Sequence, residues 1–163
     1  MDIKLRRIED EDLNLFKKWV YQDYILRWYH QPEEWINEIA SRDTEYSFLN
    51  HLIVYDQETP FAFCQYYDCF SAQEDWYTVN SAGETFSIDY LIGDTNYLRK
   101  GYGKLIIAEL IKNIREIKGA KSIIVMPEKE NIPSCKALEA NGFVYDNLLG
   151  YYRLDLLQTN SST

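Results

Sequence analysis

The chain has 163 residues, of which 46% are hydrophobic and 15% aromatic, a composition typical of one globular domain with a real core. Its 17 basic and 26 acidic residues give a net charge of −9. This balance argues against a nucleic-acid partner, because such partners bind broad basic faces. No apolar run approaches the ~20 residues that span a bilayer, and the N-terminus lacks the apolar core of a signal peptide, so we expect no membrane partner.

The few sulfur and imidazole side chains argue against disulfide and metal chemistry. Cys64, Cys69 and Cys135 cannot all pair with one another, so reduced thiols in a cytoplasm are the simpler interpretation. Their spacing does not fit a zinc site, and His30 and His51 are the only histidines in the sequence. We therefore expect a cytoplasmic protein without a bound metal.

The first half of the chain predicts a strand, two helices and a hairpin. Residues 3–8 alternate as a strand does, and the acidic group 9–12 then begins a helix with apolar residues at helical spacing up to Val20. Pro32 suits the first turn of a second helix. Two strands follow at 48–55 and 61–67, and the short polar turn between them predicts an antiparallel hairpin.

The second half alternates strands with helices after a long polar, aromatic-rich connection at 68–84. The hydrophobic pattern there predicts, in order, a strand at 85–92, a helix at 105–118, a strand at 122–126, a helix from Asn131 to Ala140, and strands at 143–148 and 151–156. The element order predicts a mixed α/β sheet in one domain, residues 1–157, with a frayed polar tail at 158–163.

The turn 97–104 separates a predicted strand from a predicted helix. Gly101 and Gly103 stand at alternate positions, where they let the main chain curl and present free N–H groups. The new helix adds further free N–H groups and the positive end of its dipole. Three cations cluster here, Arg99, Lys100 and Lys104. One interpretation is a solvated helix start, but cations oppose the dipole there, so an anionic ligand would explain their placement. We therefore predict that a phosphate-bearing ligand binds this turn.

Two motifs and the element order together resemble one known family. Lys100-Gly101-Tyr102-Gly103 is similar to the acetyl-CoA pyrophosphate loop of the GCN5-related N-acetyltransferases, and Asn131-x-x-Ser134 followed by Asn141-Gly142-Phe143 is similar to their second coenzyme segment. The resemblance implies a single-domain α/β fold, with a mostly antiparallel sheet flanked by helices, and acetyl-CoA as co-substrate. The coenzyme-binding residues that it implies are Leu91, Ile92, Leu98, Arg99, Lys100, Gly101, Tyr102, Gly103, Lys104, Asn131 and Ser134.

Asp89 is the candidate catalytic residue. The segment from Ser87 to Gly93, followed by Asn96-Tyr97 and the glycine turn, resembles the aminoglycoside 6′-N-acetyltransferases, in which an Asp on this strand contacts the acceptor amine. Asp is depleted in strands, and a buried carboxylate is costly unless it is paired. An ammonium group must lose a proton before it attacks a thioester, so a nearby base is needed. The alternative interpretation is a solvated Asp at a bulge or a sheet edge.

The predicted acceptor-binding residues combine acidic and aromatic side chains. Carboxylates hold ammonium groups, and aromatic faces stack on sugars or cations. In the long connection the candidates are Asp68, Glu74, Asp75 and Trp76, beside Asp89 on the next strand. Trp28 and Tyr29 are candidates for the opposite wall of a cleft. The alternative is an ordinary acidic loop with aromatic residues packed in the core.

The sequence departs from the family pattern at three positions. The family often has Gln or Arg where this chain has Leu98, and a thiolate-protonating Tyr where it has Leu138. The aminoglycoside branch often has an acceptor-binding Asp where Met126 precedes Pro127. The general acid is therefore not identified by the sequence, and neither is the acceptor.

The hypothesis for function is an acetyl-CoA-dependent N-acetyltransferase that acts on a small cationic amine. An aminoglycoside, at its 6′-amino group, or a polyamine is the expected acceptor. The alternatives are a protein or peptide N-acetyltransferase and a non-catalytic sensor of acyl-CoA with the same fold. Members of this fold often dimerise, so the resemblance also makes a homodimer an expectation.

Overall fold

The computed structural model describes residues 2–156 of the chain. The predicted tail at 158–163 lies outside these residues, and the domain boundary at residue 157 stays a prediction.

The described residues contain a seven-stranded sheet in the order β1-β2-β3-β4-β5-β7-β6. The strands are β1 (Lys4–Arg7), β2 (Leu49–Asp56), β3 (Thr59–Asp68), β4 (Thr85–Ile92), β5 (Ser122–Val125), β6 (Val144–Asp146) and β7 (Tyr151–Asp155). Neighbouring strands run antiparallel except β4 and β5, which are parallel. The predicted mixed, mostly antiparallel sheet is confirmed.

Six α-helices accompany the sheet within residues 2–156: α1 (Leu13–Val20), α2 (Asp23–Leu26), α3 (Pro32–Ala40), α4 (Cys69–Ala72), α5 (Tyr102–Arg115) and α6 (Ile132–Ala140). The acidic group that was expected to begin the first helix forms a short 3-10 turn, Asp10–Asp12, directly before it. The sequence did not predict α2 and α4, because a four-residue helix is too short to show a hydrophobic period. The fifth helix begins three residues earlier than predicted, immediately after Gly101, whose backbone is left-handed (φ +84°).

The two faces of the sheet are covered by different helices. On one face Phe16 of α1 and Ile39 of α3 pack with Phe63 and Leu91 from the sheet. On the other face the apolar side of α5 packs with Val54, Cys64 and Ile88, and Leu138 of α6 joins that cluster. Because side chains alternate along a strand, Asp89 shares the face of Leu91, and Tyr90 faces the α5–α6 side.

The parallel pairing of β4 with β5 covers only two residue pairs, Thr85 with Ser122 and Phe86 with Ile123. From Ser87 onward β4 pairs with β3 alone. The carbonyl of Tyr90 accepts a hydrogen bond from the Tyr29 hydroxyl. The sheet therefore opens between β4 and β5 beyond Phe86.

Candidate functional site

A cavity of about 590 Å³ lies at the opening between β4 and β5. Its walls come from β3 and β4, from α3 and the residues before it, from the segment 72–76, and from the end of β5 together with α6. Its lining contains five carboxylates, and among the described residues that line it there is no Lys or Arg: Glu34, Glu38, Glu74, Asp89 and Glu128. An excess of negative charge of this size in a half-enclosed space attracts cations.

Asp89 is half-buried in this cavity and has a strongly perturbed proton affinity. Burial raises its pKa from the ordinary 3.8 to about 7, and the negative charges of Glu74 and Glu38 act in the same direction. The Gln65 amide opposes them, because its Nε2 donates to Asp89 Oδ2 over 2.9 Å. A carboxylate with a pKa near neutrality is matched to general-base work.

Glu38 is a second perturbed carboxylate, and the sequence interpretation missed it. Burial, reinforced by the charges of Glu34 and Glu74, raises its pKa from 4.5 to about 7. A signal was present in the sequence, because Glu34 and Glu38 are four residues apart on one helix, where like charges repel. Glu128, in the connection from β5 to α6, was missed as well.

Trp28, Tyr29, Glu74 and Trp76 all line the cavity with Asp89, so the structure brings these predicted acceptor residues together. The Tyr29 hydroxyl donates to the Tyr90 carbonyl, and burial raises the pKa of that hydroxyl well above its usual value. The Glu74 carboxylate accepts a hydrogen bond of 2.7 Å from the Tyr67 hydroxyl.

Two other predicted acceptor residues lie elsewhere. Asp68 is not part of the cavity lining, because its carboxylate accepts hydrogen bonds from the backbone N–H groups of Phe70 and Gly83, at 2.9 and 2.7 Å. It thereby holds the two ends of the connection between β3 and β4. Asp75 is exposed and also lies outside the lining. The structure does not bring either carboxylate together with Asp89.

The predicted phosphate-binding turn, Leu98 to Lys104, has the backbone of an anion site. Arg99 and Gly101 both adopt left-handed conformations, with φ of +61° and +84°, and no side chain caps the N-terminus of α5. A Cβ added at Gly101 would meet no atom within 4 Å, so the space above the turn is open. Within residues 2–156, no ion pair involves the three cations of this turn, Arg99, Lys100 and Lys104. A non-glycine residue at positive φ is a strain that often marks a functional turn.

The second predicted coenzyme segment reaches the same cavity. Asn131 and Ser134 line it, and Asn131 Oδ1 accepts a 3.3 Å hydrogen bond from the Ser134 N–H, which caps the N-terminus of α6. The Tyr90 hydroxyl lies near Ser134, which acts to lower the Tyr90 pKa, and it is 2.9 Å from where a Cβ on Gly103 would stand. Tyr90 therefore connects the glycine turn to α6.

The two predicted coenzyme-binding residues at the end of β4, Leu91 and Ile92, lie outside the cavity lining. Leu91 is buried in the core beneath α1 and α3, and Ile92 is half-buried. The Ile92 carbonyl accepts a 2.6 Å hydrogen bond from the Tyr24 hydroxyl. Half-buried Leu98 and Tyr102 stand on either side of the left-handed residues, and Tyr102 packs edge-on against Phe61.

No cluster of three or more His, Cys, Asp or Glu side chains in residues 2–156 is arranged to hold a metal ion. None of the helices in that part of the chain has the length and apolar character that a bilayer crossing needs.

Comparison with known proteins gives one family match and several relatives. A family model described as an acetyltransferase (GNAT) domain matches residues 9–149. The aminoglycoside N(6′)-acetyltransferase type 1 of Klebsiella pneumoniae is 19% identical over 150 residues, which are 86% of this chain and 73% of that protein.

Two solved structures show the same fold. An aminoglycoside acetyltransferase, AAC(6′)-Ib, in complex with coenzyme A and kanamycin has a TM-score of 0.81 at 17% identity, covering 94% of this chain and 95% of the other. A spermidine N-acetyltransferase from Vibrio cholerae, in complex with CoA and spermine, has a TM-score of 0.70 at 14% identity, covering 89% and 82%.

Proposed function

The chain belongs to the acetyltransferase (GNAT) family, as the sequence predicts, and we propose that it transfers an acetyl group from acetyl-CoA to an amino group of a small polycationic amine. The observation that carries the choice of acceptor is the lining of the cavity, with five carboxylates and no Lys or Arg among its described residues. An amine with several ammonium groups complements that charge. Kanamycin and spermine, the ligands named for the two structural relatives, are such amines.

The coenzyme would be held by the glycine turn and by α6. Acetyl-CoA supplies an acetyl group activated as a thioester. The free N–H groups at the start of α5 and the cations Arg99, Lys100 and Lys104 suit its diphosphate, and the open space above Gly101 leaves room for it. Asn131 and Ser134 would bind further along the coenzyme, next to the stretch of β4 that does not pair with β5.

Asp89 is the group that we assign to the acceptor. Its carboxylate would pair with the ammonium group and take one proton from it, which leaves an amine able to attack the thioester carbonyl. A pKa of about 7 keeps a large fraction of this carboxyl ionised near neutral pH. Glu38 and Glu74, which line the same cavity and whose charges act on Asp89, would hold further ammonium groups of the same acceptor.

The proton for the departing thiolate is assigned to Tyr90. Leu138, at the position where the family often has a Tyr, lines the cavity and carries no hydroxyl. Tyr90 lines the same cavity, and its hydroxyl is near Ser134, one of the residues proposed to bind the coenzyme. Burial raises its pKa, so it keeps its proton and can donate it.

The test measures thiol release from acetyl-CoA with a panel of amines that contains an aminoglycoside, spermidine and a lysine-containing peptide. We expect turnover with at least one of the two small polycations, and a loss of about 10²- to 10⁴-fold in kcat for Asp89→Asn. Asp75→Asn is the matched control, because this exposed Asp lies outside the cavity, and it should keep wild-type activity.

The remaining outcomes separate the alternatives. Turnover with the peptide alone would replace the small-amine acceptor by a protein. Saturable binding of acetyl-CoA in calorimetry, without turnover of any amine, would favour the sensor. Absence of any saturable complex would remove the proposal altogether.

The cellular location and the oligomeric state belong to the same proposal. The three cysteines are free thiols in the structure, which supports a reducing compartment such as the cytoplasm. A homodimer stays a prediction from the family resemblance, and light scattering of the purified chain measures it.

A further inference from the structure

Two buried polar side chains, those of His51 and Gln65, are in register with Asp89 on the neighbouring strands. His51 of β2 pairs with Gln65 of β3, and Gln65 pairs with Asp89 of β4, so the three residues form one row across three strands. His51 and Gln65 are each only 3% exposed. Residues directly opposite each other on neighbouring strands point to the same face, so the row leads from the cavity into the sheet beneath α1 and α3.

The row contains all of the buried side-chain nitrogen and oxygen atoms that make no hydrogen bond within the described part of the chain. They are three: Nδ1 and Nε2 of His51, and Oε1 of Gln65. An unpartnered buried polar atom costs about 1–3 kcal/mol, and native proteins leave few of them. Because the three atoms belong to two side chains that face each other, they are complementary: a neutral imidazole has one N–H to donate, and an amide oxygen accepts.

We propose that His51 and Gln65 form a buried relay that positions Asp89 and stabilises its ionised form, with the imidazole N–H of His51 donating through one buried water to Gln65 Oε1. A site lined by two or more polar atoms is where proteins retain such waters. The catalytic meaning of the relay rests on the proposed function, since Asp89 is the base only there. His51 and Gln65 themselves are positioning residues.

The orientation of the Gln65 amide decides which form of Asp89 is stabilised. In the structure Nε2 donates to Oδ2, which favours the carboxylate. If the amide turned over, its oxygen would face Asp89 and favour the protonated acid instead. A donor at the far end of the amide, from His51, holds the oxygen there and so fixes the orientation that favours the carboxylate.

The hydrogen bond from Gln65 acts against several influences that favour protonation of Asp89. Burial and the negative charges of Glu38, from α3, and Glu74, from the segment before β4, raise its pKa. The other titratable groups that interact with it are Tyr29, Tyr67 and Cys69. Among the described residues, Gln65 is the side chain that donates a hydrogen bond to this carboxylate, so the relay is what opposes its protonation.

His51 acts in the relay as a neutral donor. Burial, together with the charges of Arg42 and Arg7, lowers the pKa of its imidazole from 6.5 to about 4. The ring of Phe63 lies 5.8 Å from it and carries no charge. His51 therefore does not titrate in the range where Asp89 does, and a shift in the titration of Asp89 reports on the hydrogen bond rather than on a new charge.

The experiment follows the carboxyl carbon of Asp89 by NMR during a pH titration of the free protein, with Asp89→Asn to assign the signal. Gln65→Leu and His51→Phe remove the two members of the relay, and His51→Gln replaces the imidazole by a side chain that still donates. We expect the Asp89 pKa to rise by about one unit in Gln65→Leu, a tenfold change in proton affinity, which is the size of one charge-assisted hydrogen bond. His51→Phe should shift it in the same direction, and His51→Gln should restore it.

The pH profile of kcat/KM is the second readout. Its acidic limb should move upward by the same amount as the Asp89 pKa, so that Gln65→Leu loses about tenfold in rate well below the limb and approaches the wild type well above it. A merely structural defect would lower the rate at every pH. If His51→Phe does not fold, as its thermal unfolding would show, the comparison of Gln65→Leu with the wild type still decides the first step of the relay.

An unchanged Asp89 titration in a folded Gln65→Leu or His51→Phe protein overturns the relay. So does a His51→Gln variant that behaves as His51→Phe does. Because the titration uses neither acetyl-CoA nor an amine, it gives its answer even if no acetyl transfer is found, and failure of the proposed function stays distinguishable from failure of the relay.

Discussion

The raised pKa of Asp89 links its proposed role as a base to the stability of the folded protein. Its pKa of about 7 means that the folded protein binds a proton at this carboxyl more tightly than the unfolded chain does. Between pH 4 and 7 the folded state therefore holds more protons than the unfolded state, and stability falls as pH rises through this window. The ionised carboxylate that the reaction needs is thus a form that the fold disfavours.

Asp89→Asn should accordingly make the protein more stable at pH 8, by about 2 kcal/mol, because the neutral amide avoids the desolvation of a carboxylate. The gain should become small near pH 4, where the folded carboxyl is protonated and the pH has come close to the ordinary pKa of 3.8. Urea unfolding at pH 4 and pH 8 measures both values. Asp75→Asn, at an exposed position, serves as control, and an equal gain in both variants or at both pH values would contradict this account.

Gly103 is a glycine for a reason of packing. A Cβ there would lie 2.9 Å from the Tyr90 hydroxyl oxygen, although alanine inside a helix is otherwise favoured over glycine by about 1 kcal/mol. Gly103→Ala should therefore destabilise the wild type, and it should cost less in a Tyr90→Phe background, from which the nearest atom is gone. The double-mutant cycle of thermal unfolding measures this coupling. A cycle without coupling would show that the two residues do not limit each other.

At the scale of elements, the turn before α5 depends on a left-handed residue at Gly101, and Gly150 offers a matched comparison. Both glycines have φ above +80°, and a Cβ on either would meet no atom within 4 Å. At both positions a side chain would be unfavourable because of the left-handed backbone and not because of a clash. Only Gly101 lies at the proposed diphosphate site.

Gly101→Ala and Gly150→Ala should each lose about 1–2 kcal/mol of stability, the cost of a left-handed residue with a side chain. Only Gly101→Ala should also weaken acetyl-CoA binding, because the strained turn moves its N–H groups. Urea unfolding and calorimetry with acetyl-CoA measure the two effects separately. Equal affinities in the two variants would remove the turn from the coenzyme site.

Helix α3 brings Glu38 into the cavity, and no ion pair within residues 2–156 involves it. The raised pKa of Glu38, about 7, has the same sign as that of Asp89, so its ionised form is also disfavoured in the fold above its ordinary pKa of 4.5. Glu38→Gln should raise stability at pH 8 and raise KM for a polycationic acceptor more than it lowers kcat. Glu45→Gln, exposed and outside the cavity, is the control for both measurements, and a wild-type KM in Glu38→Gln would exclude contact with the acceptor.

At the scale of the whole molecule, the negative charge is both general and local. The whole chain has a net charge of −9, and five of its carboxylates line the cavity where an acceptor would bind. Such a field attracts cations over about 10 Å at 0.1 M salt and over about 3 Å at 1 M. Electrostatic attraction should therefore appear in the binding of the acceptor rather than in the chemical step.

Raising the salt concentration from 0.05 to 0.5 M should thus increase KM for a polyamine several-fold and leave kcat nearly unchanged, on the screening lengths given above. The effect should be smaller for an amine with a single ammonium group. Steady-state kinetics with the two acceptors at each salt concentration measures it. A salt effect that is equal for both amines would indicate that the cavity charge does not recognise the acceptor.

Local chemistry was enough to predict much of this protein. The helical and strand periods placed most elements correctly, and the glycine turn before α5 was visible because left-handed backbone and helix starts are encoded by a few adjacent residues. Asp89 was visible too, as a charged residue inside an apolar strand. The family motifs also depend on short spacings, and for that reason the sequence by itself determined the fold class and the candidate base.

Only the tertiary structure decided which residues line the cavity with Asp89 and which are in register with it on the neighbouring strands. Glu38 and Glu128 line the same cavity as Asp89, although they come from a helix and a connection distant from it in the chain. Asp68 is bound by backbone N–H groups instead. The row of His51, Gln65 and Asp89 exists because of the register between three strands. Strand register and helix docking depend on the packing of the whole core, and no local pattern around any one of these residues records where the others will lie.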